Sequence, residues 1–352
     1  MFFIGLGTAT PPHCYTQHEC WDAMHRSALF SQLAPRSRGI LKKVFLSNNG
    51  IVTRHLALSP LEEGLDITPA TLQARFAKHA PLLAAQAVEA ALRDGATDAT
   101  EVDAILVSTC TGYLCPGLSG YVSERLGLRP DVLGLDLVGH GCGAALPNLR
   151  TAEALLKAGR ARRILSVCVE VCSAAIYFDD DPGVLISACL FGDAAAAALL
   201  SAEPLPKRRP VEWKRAQSLL VPSARDLLRF EQRDGLLRNI LTPSVPALAS
   251  THAEEVFNQL MSQAGLTASQ IRSWIWHAGG RDVLLALRDK FQLHDSDLQW
   301  SGSVLRDLGN VSSPFVLHAL QRALQGGAPD GWWWMSSFGA GFSCHGALLH
   351  VG

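Results

Sequence analysis

Three residues of this 352-residue chain combine a reactive side chain with a position where the backbone would present it. Cys142 follows the apolar run Val132 to Val138 through Gly-His-Gly, and a helix-forming stretch begins directly after it. A thiol at a helix N-terminus faces unpaired N–H groups and the positive end of the macrodipole, which predicts a lowered pKa and a nucleophile. Gly141 and Gly143 on either side permit a tight turn and close approach of a substrate. His277 comes directly after Trp274-Ile275-Trp276 and before Gly279-Gly280 and a predicted helix Asp282 to Phe291, at the carboxyl end of a strand where ligands are usually met. Asn310 lies in a Gly-Asn pair ahead of another helix; taken alone it reads as an N-cap or turn residue.

Cys, His and Asn together suit two chemistries. In a papain-like hydrolase His activates Cys and Asn orients His, and the separation 277 − 142 = 135 fits that spacing. Against it, Cys142 lies mid-chain and no C-G-S-C-W-like signature surrounds it. In carbon–carbon bond formation Cys carries an acyl group as a thioester, while His and Asn donate hydrogen bonds to a thioester carbonyl that becomes an enolate. The layout of the chain favours the second.

That layout is a repeat. Ala87 to Asp94 reads as a helix closed by Gly95, followed by the buried strand Ala104 to Val107; Glu254 to Ala264 reads as a helix closed by Gly265, followed by Trp274 to Trp276. Gly141-Cys142 and Gly309-Asn310 each precede a helix, offset by 310 − 142 = 168 residues. Phe191-Gly192 and Phe338-Gly339 each precede an apolar strand. The expectation is two related α/β halves, 1–205 carrying the Cys and 206–352 carrying His and Asn, joined by the Pro- and charge-rich segment 203–210. Alternating strands and helices predict mostly parallel sheets, and a helix over 143–156 that is apolar on nearly all faces.

Composition narrows the class. Thirty-one basic against thirty-two acidic residues give a formal charge of −1, which offers no field for nucleic acid or membrane headgroups. Hydrophobic residues at 48% and charged residues at 18% describe a compact globular chain. Nine cysteines, several inside apolar runs, point to a reducing compartment, and neither a secretory leader nor a membrane span is evident, so a cytoplasmic location is expected. Gly5-Leu6-Gly7 lacks the third glycine of a dinucleotide loop. The spacings Cys110–Cys115 and Cys168–Cys172 do not make a zinc site, so no metal is expected. Lys42, Lys43 and Arg54 are the candidate phosphate ligands.

With these residues in place the chain closely resembles the type III polyketide synthases, the chalcone synthase-like branch of the thiolase superfamily, in a bacterial form. The resemblance runs through IGLGTATPPHC at the start, STCTGYLCPG at 108–117, GHGCGAA around Cys142, LFGDAAAA at 190–197, WHAGG around His277, GNVSS around Asn310 and SFGAGF at 337–342. It implies a thiolase-like fold of duplicated αβαβα halves and a homodimer. A starter acyl-CoA would be extended with malonyl-CoA, with CoA thioesters as substrates and no further cofactor. Carried over by motif, Cys142 resembles the acyl-bearing nucleophile, His277 its thiolate partner and an oxyanion donor, and Asn310 the second donor. Phe191 resembles an aromatic gatekeeper; Cys110, Ser312 and Gly339 fall at the substrate pocket, and Cys115 at a loop reaching the neighbouring subunit. The chain departs from plant members at Arg238, where they carry a second gatekeeper Phe, at Ala340, where Pro is usual, and at the CoA-binding basic residues. A ketoacyl synthase III-like single condensation shares the same three residues, and a degenerate partner subunit would be expected to lack them.

Overall fold

The computed structural model covers residues 1–352. Its strands are β1 (Phe2–Ala9), β2 (Cys14–Thr16), β3 (Thr53–His55), β4 (Ala104–Ser108), β5 (Leu133–Leu137), β6 (Arg163–Glu170), β7 (Ala194–Ser201), β8 (Val211–Leu220), β9 (Leu228–Arg233), β10 (Leu236–Leu241), β11 (Ile271–Trp276), β12 (Gly331–Gly339) and β13 (Ser343–Val351). Its α-helices are α1 (Gln17–His25), α2 (Ala28–Gln32), α3 (Pro35–Leu46), α4 (Pro69–Asp94), α5 (Leu118–Leu126), α6 (Ala145–Lys157), α7 (Pro182–Leu190), α8 (Val245–Ala264), α9 (Arg281–Phe291), α10 (Gln299–Leu308) and α11 (Phe315–Gln325). None is long and apolar enough to cross a membrane.

The predicted helices ending at Asp94 and Ala264 are the last turns of longer ones. In α4 the Thr68 hydroxyl caps the first turn and Pro69 opens it, while Gly95 closes the last. The helix passes through Pro81 because Phe76, Ala80, Ala84, Ala87 and Val88 bury one continuous apolar stripe on both sides of it. In α8 the chain leaves through Gly265 at φ 65°, a left-handed conformation that glycine adopts without strain.

Nine strands form one sheet in the order β11-β12-β13-β8-β1-β7-β6-β4-β5. Strands from the first 201 residues occupy one side and those from 211 onward the other, joined by the pairing of Phe2 with Glu212 between β1 and β8. The mostly parallel arrangement predicted from the alternation of elements is not what forms: pairing is parallel only for β6-β4-β5 and for β11-β12. The strand β12 runs into β13 through a short turn, so that pair is antiparallel, and β1, β7 and β8 join the two sides of the sheet through antiparallel pairs, β6–β7 among them despite the helix α7 in its connection.

Two helices lie against strands of both sides. Helix α6 packs on β4 and β6 and also on β12 and β13, whereas α11 packs on β11 and β12 and also on β1 and β7. Such helices must be apolar nearly all round. Ala145, Leu146, Leu149 and Ala152 of α6 are fully buried, as are Phe315, Leu317, Ala319 and Leu320 of α11. The one buried polar residue of α6, Asn148, is satisfied: its amide donates to Leu106 O, Ser108 Oγ and Val167 O, and its carbonyl accepts from Ser166 Oγ at 2.8 Å. That network fixes α6 over β4 and β6.

The glycines of the first strand serve packing rather than a nucleotide. A Cβ on Gly5 would lie 2.2 Å from Ala91 O, and one on Gly7 2.2 Å from Ala87 O and 2.3 Å from Ala91 N. Helix α4 therefore rests on bare backbone of β1. Gly7→Ala should destabilise the protein by about 1–3 kcal/mol, because the obstructing atoms are main-chain and cannot rotate away. A urea titration checks this, and an unchanged midpoint would mean that α4 sits farther from β1 than described.

Candidate active site

Cys142 lies in a single 3₁₀ turn, Gly141–Gly143, between the end of β5 and the start of α6 at Ala145. Gly141 has φ 55°, and the turn is held against the other half by backbone contact. A Cβ on Gly339, at the end of β12, would stand 2.2 Å from His140 O and 3.0 Å from Gly143 N, so only glycine lets β12 close on this turn. Ser337 Oγ donates to Gly143 O at 3.0 Å and pins the same seam. Gly339 thus positions the thiol.

His277 extends β11 by one hydrogen bond, its N–H donating to Ser336 O at 2.9 Å. The strand that delivers it is anchored by aromatic rings: Trp274 and Trp276 stack at 5.6 Å, and Phe257, Phe291 and Trp334 pack around them. The imidazole is buried, edge-on to Phe315, with Nε2 3.3 Å from Asn310 Oδ1.

Asn310 follows Gly309 at φ 72°. Its N–H donates to Leu190 O at 2.8 Å and its carbonyl accepts from Gly192 N at 3.0 Å, so its backbone is stitched to the segment carrying Phe191. Its side-chain Oδ1 accepts from Ser312 N at 2.9 Å, and Nδ2 donates to Gly279 O at 3.2 Å. The first of these bonds holds Ser312 at φ 56°, a left-handed conformation costly for a residue with a Cβ. So held, Ser312 donates its hydroxyl to Cys142 Sγ at 3.2 Å. The contacts Cys142–Ser312–Asn310–His277 bring residues from both ends of the chain into one cluster.

The electrostatics differ from the sequence expectation. Cys142 precedes α6 by a turn and is half-buried; burial outweighs the Ser312 hydrogen bond and pushes the thiol up to about 12. His277 is lowered to about 4 by its burial, so at neutral pH the imidazole is uncharged. No hydrogen bond joins the two side chains. Without an adjacent cation the thiol stays protonated, and the expected lowering of its pKa is not realised.

Glu170, at the end of β6, is a functional candidate that sequence reading missed. It is fully buried and accepts from Cys110 N at 3.0 Å, Thr111 Oγ1 at 2.9 Å and Ser313 Oγ at 2.5 Å, with Ser312 Oγ 3.3 Å away as a second acceptor for the hydrogen that Ser312 turns toward Cys142. Burial raises its carboxyl against these bonds. The available signal was a lone acid closing the apolar run of β6. Cys110 Sγ lies 3.5 Å from Ser312 Oγ, and burial with Glu170 beside it raises that thiol well above its ordinary value.

A cavity of about 90 Å³ adjoins the cluster. Cys110, Thr111, Cys172, Phe191 and Ser312 line it together with α1, α7 and the β9–β10 hairpin. Eighteen of its twenty-five lining residues are hydrophobic, which suits an acyl chain. Cys142, His277 and Asn310 stand behind the wall at Ser312.

Other expected ligands are elsewhere. Lys42 and Lys43 are exposed on α3, without contact to the cluster. Arg54 is not a surface phosphate ligand: it is 4% exposed, lines the cavity, and donates through Nη1 to the carbonyls of Ala188 and Phe191. Cys115 is exposed and off the cavity wall. Arg238, expected at the substrate pocket, does not line it; its guanidinium lies among Asp179, Asp181 and Glu231 because those carboxylates offer it partners that an apolar cavity cannot. No group of three His, Cys, Asp or Glu side chains is arranged to hold a metal ion.

Residues 20–217 match the family of FAE1/type III polyketide synthase-like proteins, and residues 212–351 match the C-terminal domain of chalcone and stilbene synthases. The chain belongs to the type III polyketide synthases, acyl-transferring enzymes that form carbon–carbon bonds. It is 31% identical over 334 residues to a 3,5-dihydroxyphenylacetyl-CoA synthase of Streptomyces toyocaensis, covering 92% of this chain and 83% of that protein. It is 28% identical over 348 residues to a 1,3,6,8-tetrahydroxynaphthalene synthase of Streptomyces peucetius subsp. caesius, covering 97% and 91%. The crystal structure of 1,3,6,8-tetrahydroxynaphthalene synthase from Streptomyces coelicolor A3(2) superposes with a TM-score of 0.88 at 24% identity over 98% of both chains. That of PKS-I from the brown alga Ectocarpus siliculosus gives 0.90 at 21% identity, over 99% and 98%. The fold is thiolase-like.

A thiol near 12 beside a neutral imidazole has a pH signature. Alkylation of Cys142 by iodoacetamide, followed on its tryptic peptide, should rise about tenfold per pH unit from 7 to 10, since each unit multiplies the thiolate fraction by ten below the thiol pKa. A rate already at plateau by pH 8 would reveal a preformed thiolate and overturn this reading.

Proposed function

We propose that Cys142 accepts the acyl group of a starter acyl-CoA and that the chain extends it by decarboxylative Claisen condensation with malonyl-CoA before cyclising the product. The observation that carries this is the contact path from the Cys142 sulfur through Ser312 and Asn310 to His277, beside an apolar cavity. In loading, Sγ attacks the starter thioester carbonyl, CoA leaves as thiolate, and the thiol proton passes to it. Malonyl-CoA then loses CO2, and the electron pair of the broken C–C bond becomes an enolate with its charge on the thioester oxygen. That carbon attacks the acyl carbon on Cys142, a C–C bond forms, and the sulfur is released to take up a proton.

Each polar group has a matching task. Nε2 of His277 faces the acceptor Oδ1 of Asn310 and therefore carries its hydrogen, and one hydrogen of Asn310 Nδ2 remains after the bond to Gly279 O. The free Asn310 hydrogen serves the enolate oxygen directly, and the His277 hydrogen, held by Asn310 Oδ1 at rest, turns to that oxygen as the charge forms; in an enclosed site each such donor is worth about 3–4 kcal/mol. Phe191, tied through its neighbours' backbone to Asn310, stands where cavity and donors meet, and Cys110 adjoins Ser312 on the same wall. A starter with an apolar acyl chain suits the lining, because Ser173 and Ser187 already donate their hydroxyls to protein partners and Asn239 Nδ2 donates to Ser187. CoA thioesters supply the reacting groups, and no further cofactor is invoked. Lys42 and Lys43 remain the exposed cations available to a CoA phosphate.

Three further features belong to this reading. Residues 1–205 and 206–352 act as two halves that meet at the Cys142 turn. A second copy covers the unpaired edge of β5, where Leu133 and Val138 are 42% and 62% exposed and Tyr113 and Cys115 lie nearby. Nine free thiols suit the reducing cytoplasm.

Incubation with malonyl-CoA and a panel of acyl-CoAs should release CO2 and CoA and give products with more than one extension; a single extension would mark a ketoacyl synthase III-like enzyme. Cys142→Ala should lose the acyl-enzyme mass altogether. Asn310→Ala should cut malonyl-CoA decarboxylation by about 100-fold while changing starter loading far less. Equal losses in both steps would refute the donor role, and silence across all starters from folded protein would refute the synthase reading for this chain.

A further inference from the structure

The β9–β10 hairpin stands apart from the nine-stranded sheet as its own two-stranded ribbon. Its turn is Asp234-Gly235, with φ of 52° and 78°, the two left-handed residues that match a tight turn to strand twist. Register pairs Phe230 with Asn239 and Glu231 with Arg238. Phe230 and Asn239 line the cavity, so strand alternation places Glu231 and Arg238 on the opposite face.

That opposite face carries an ionic cluster of one buried guanidinium among three partly exposed carboxylates. Arg238 is 8% exposed. Its Nε donates to Asp179 Oδ2 at 2.7 Å and its Nη1 to Glu231 Oε1 at 3.1 Å, and Nη2 lies 3.4 Å from Asp181 Oδ2. Asp181 also caps α7, accepting from Gly183 N at 2.8 Å. A Cβ on Gly183 would lie 2.1 Å from Leu241 O, so the end of β10 already presses on the first turn of α7. On the cavity face Asn239 Nδ2 donates to Ser187 Oγ at 2.9 Å, across from hairpin to helix.

One guanidinium therefore joins the hairpin to the segment that starts α7, and hairpin and helix are two walls of one cavity. We propose that Arg238 is a positioning residue: its clasp on Asp179, Asp181 and Glu231 holds the hairpin closed beside the cavity, so that a growing acyl chain on Cys142 is extended rather than released early. This rests on the proposed polyketide-forming reaction. Removing the cation leaves three partly exposed carboxylates facing one another with no counter-charge, and it removes the bonds that tie hairpin to helix, which lets the two move apart. Lysine restores the charge but not the fork that reaches several carboxylates at once.

Arg238→Gln, Arg238→Lys and Asp179→Asn test this through three measurements: amide hydrogen exchange of residues 228–241, Cys142 acylation by intact mass, and product distribution. Arg238→Gln should speed hairpin exchange by about tenfold or more. It should also raise the ratio of short or hydrolysed products to full-length ones by about fivefold while acylation stays within about twofold. Arg238→Lys should fall between it and the parent on both scales. Unchanged exchange and product ratio would overturn the proposal, as would acylation falling in step with product. Should Arg238→Gln fail to fold, Asp179→Asn and Arg238→Lys decide by the same criteria. If the parent enzyme makes no polyketide from any acyl-CoA, the underlying reaction fails, while hydrogen exchange still decides whether the clasp closes the hairpin.

Discussion

Two stretches of backbone without side chains between them hold the site together. The turn carrying Cys142 and the end of β12 approach through Gly143 and Gly339, at a spacing that a single methyl group would prevent. Residues about 200 positions apart are thereby held with main-chain rigidity. The same device recurs at Gly192, where a Cβ would lie 2.2 Å from Leu308 O, next to the backbone bonds that join Asn310 to Leu190 and Gly192. A reaction that depends on atoms meeting within a few tenths of an ångström gains more from such contacts than from long side chains, which would have to be ordered at an entropic cost.

The separate elements converge on these contacts. Aromatic packing under β11 sets where His277 emerges, and Asn148 sets where α6 begins and hence where the turn before it lies. Asn310 then acts twice, through its backbone toward Phe191 and through Oδ1 toward Ser312 and His277. The strained φ of Ser312 is the price of bringing a hydroxyl to the thiol, and the Asn310 side chain is what sustains it.

Much of this was legible before any coordinates. Cys142, His277 and Asn310 could be singled out because each follows an apolar run or a glycine at an element boundary, and the repeat offset linked two of them. Ser312 could be placed at the pocket through the GNVSS motif, but Glu170 could not: its importance lies in a contact across 142 residues of sequence, which no spacing rule encodes. Arg238 was misplaced for a related reason: a position in a motif fixes the backbone, whereas a guanidinium turns toward whichever carboxylates lie in reach, here Asp179 and Asp181. The mixed sheet escaped because alternation of helix and strand does not fix strand direction: the last two strands have only a turn between them, and β6 and β7 pair antiparallel although α7 connects them. The Asp234-Gly235 hairpin carried a plain turn signal between apolar runs that went unused.

The charge state of the site gives the last constraint. Thiol, imidazole and buried carboxyl are all pushed by desolvation toward their neutral forms. Shifting the thiol from 9.0 to about 12 corresponds to about 4 kcal/mol against the thiolate. A site built this way stores no ion pair to be broken when substrate enters, and its donors have no anion to satisfy at rest. In the proposed cycle the thiolate exists only in passing, as CoA exchanges places with Cys142 and as condensation releases the sulfur, and the enolate is the negative charge that His277 and Asn310 meet. The same low dielectric that disfavours a resting thiolate strengthens those two hydrogen bonds once the charge forms. Neutrality at rest and stabilisation during reaction thus follow from one cause, the burial produced where the two sets of strands close over α6 and α11.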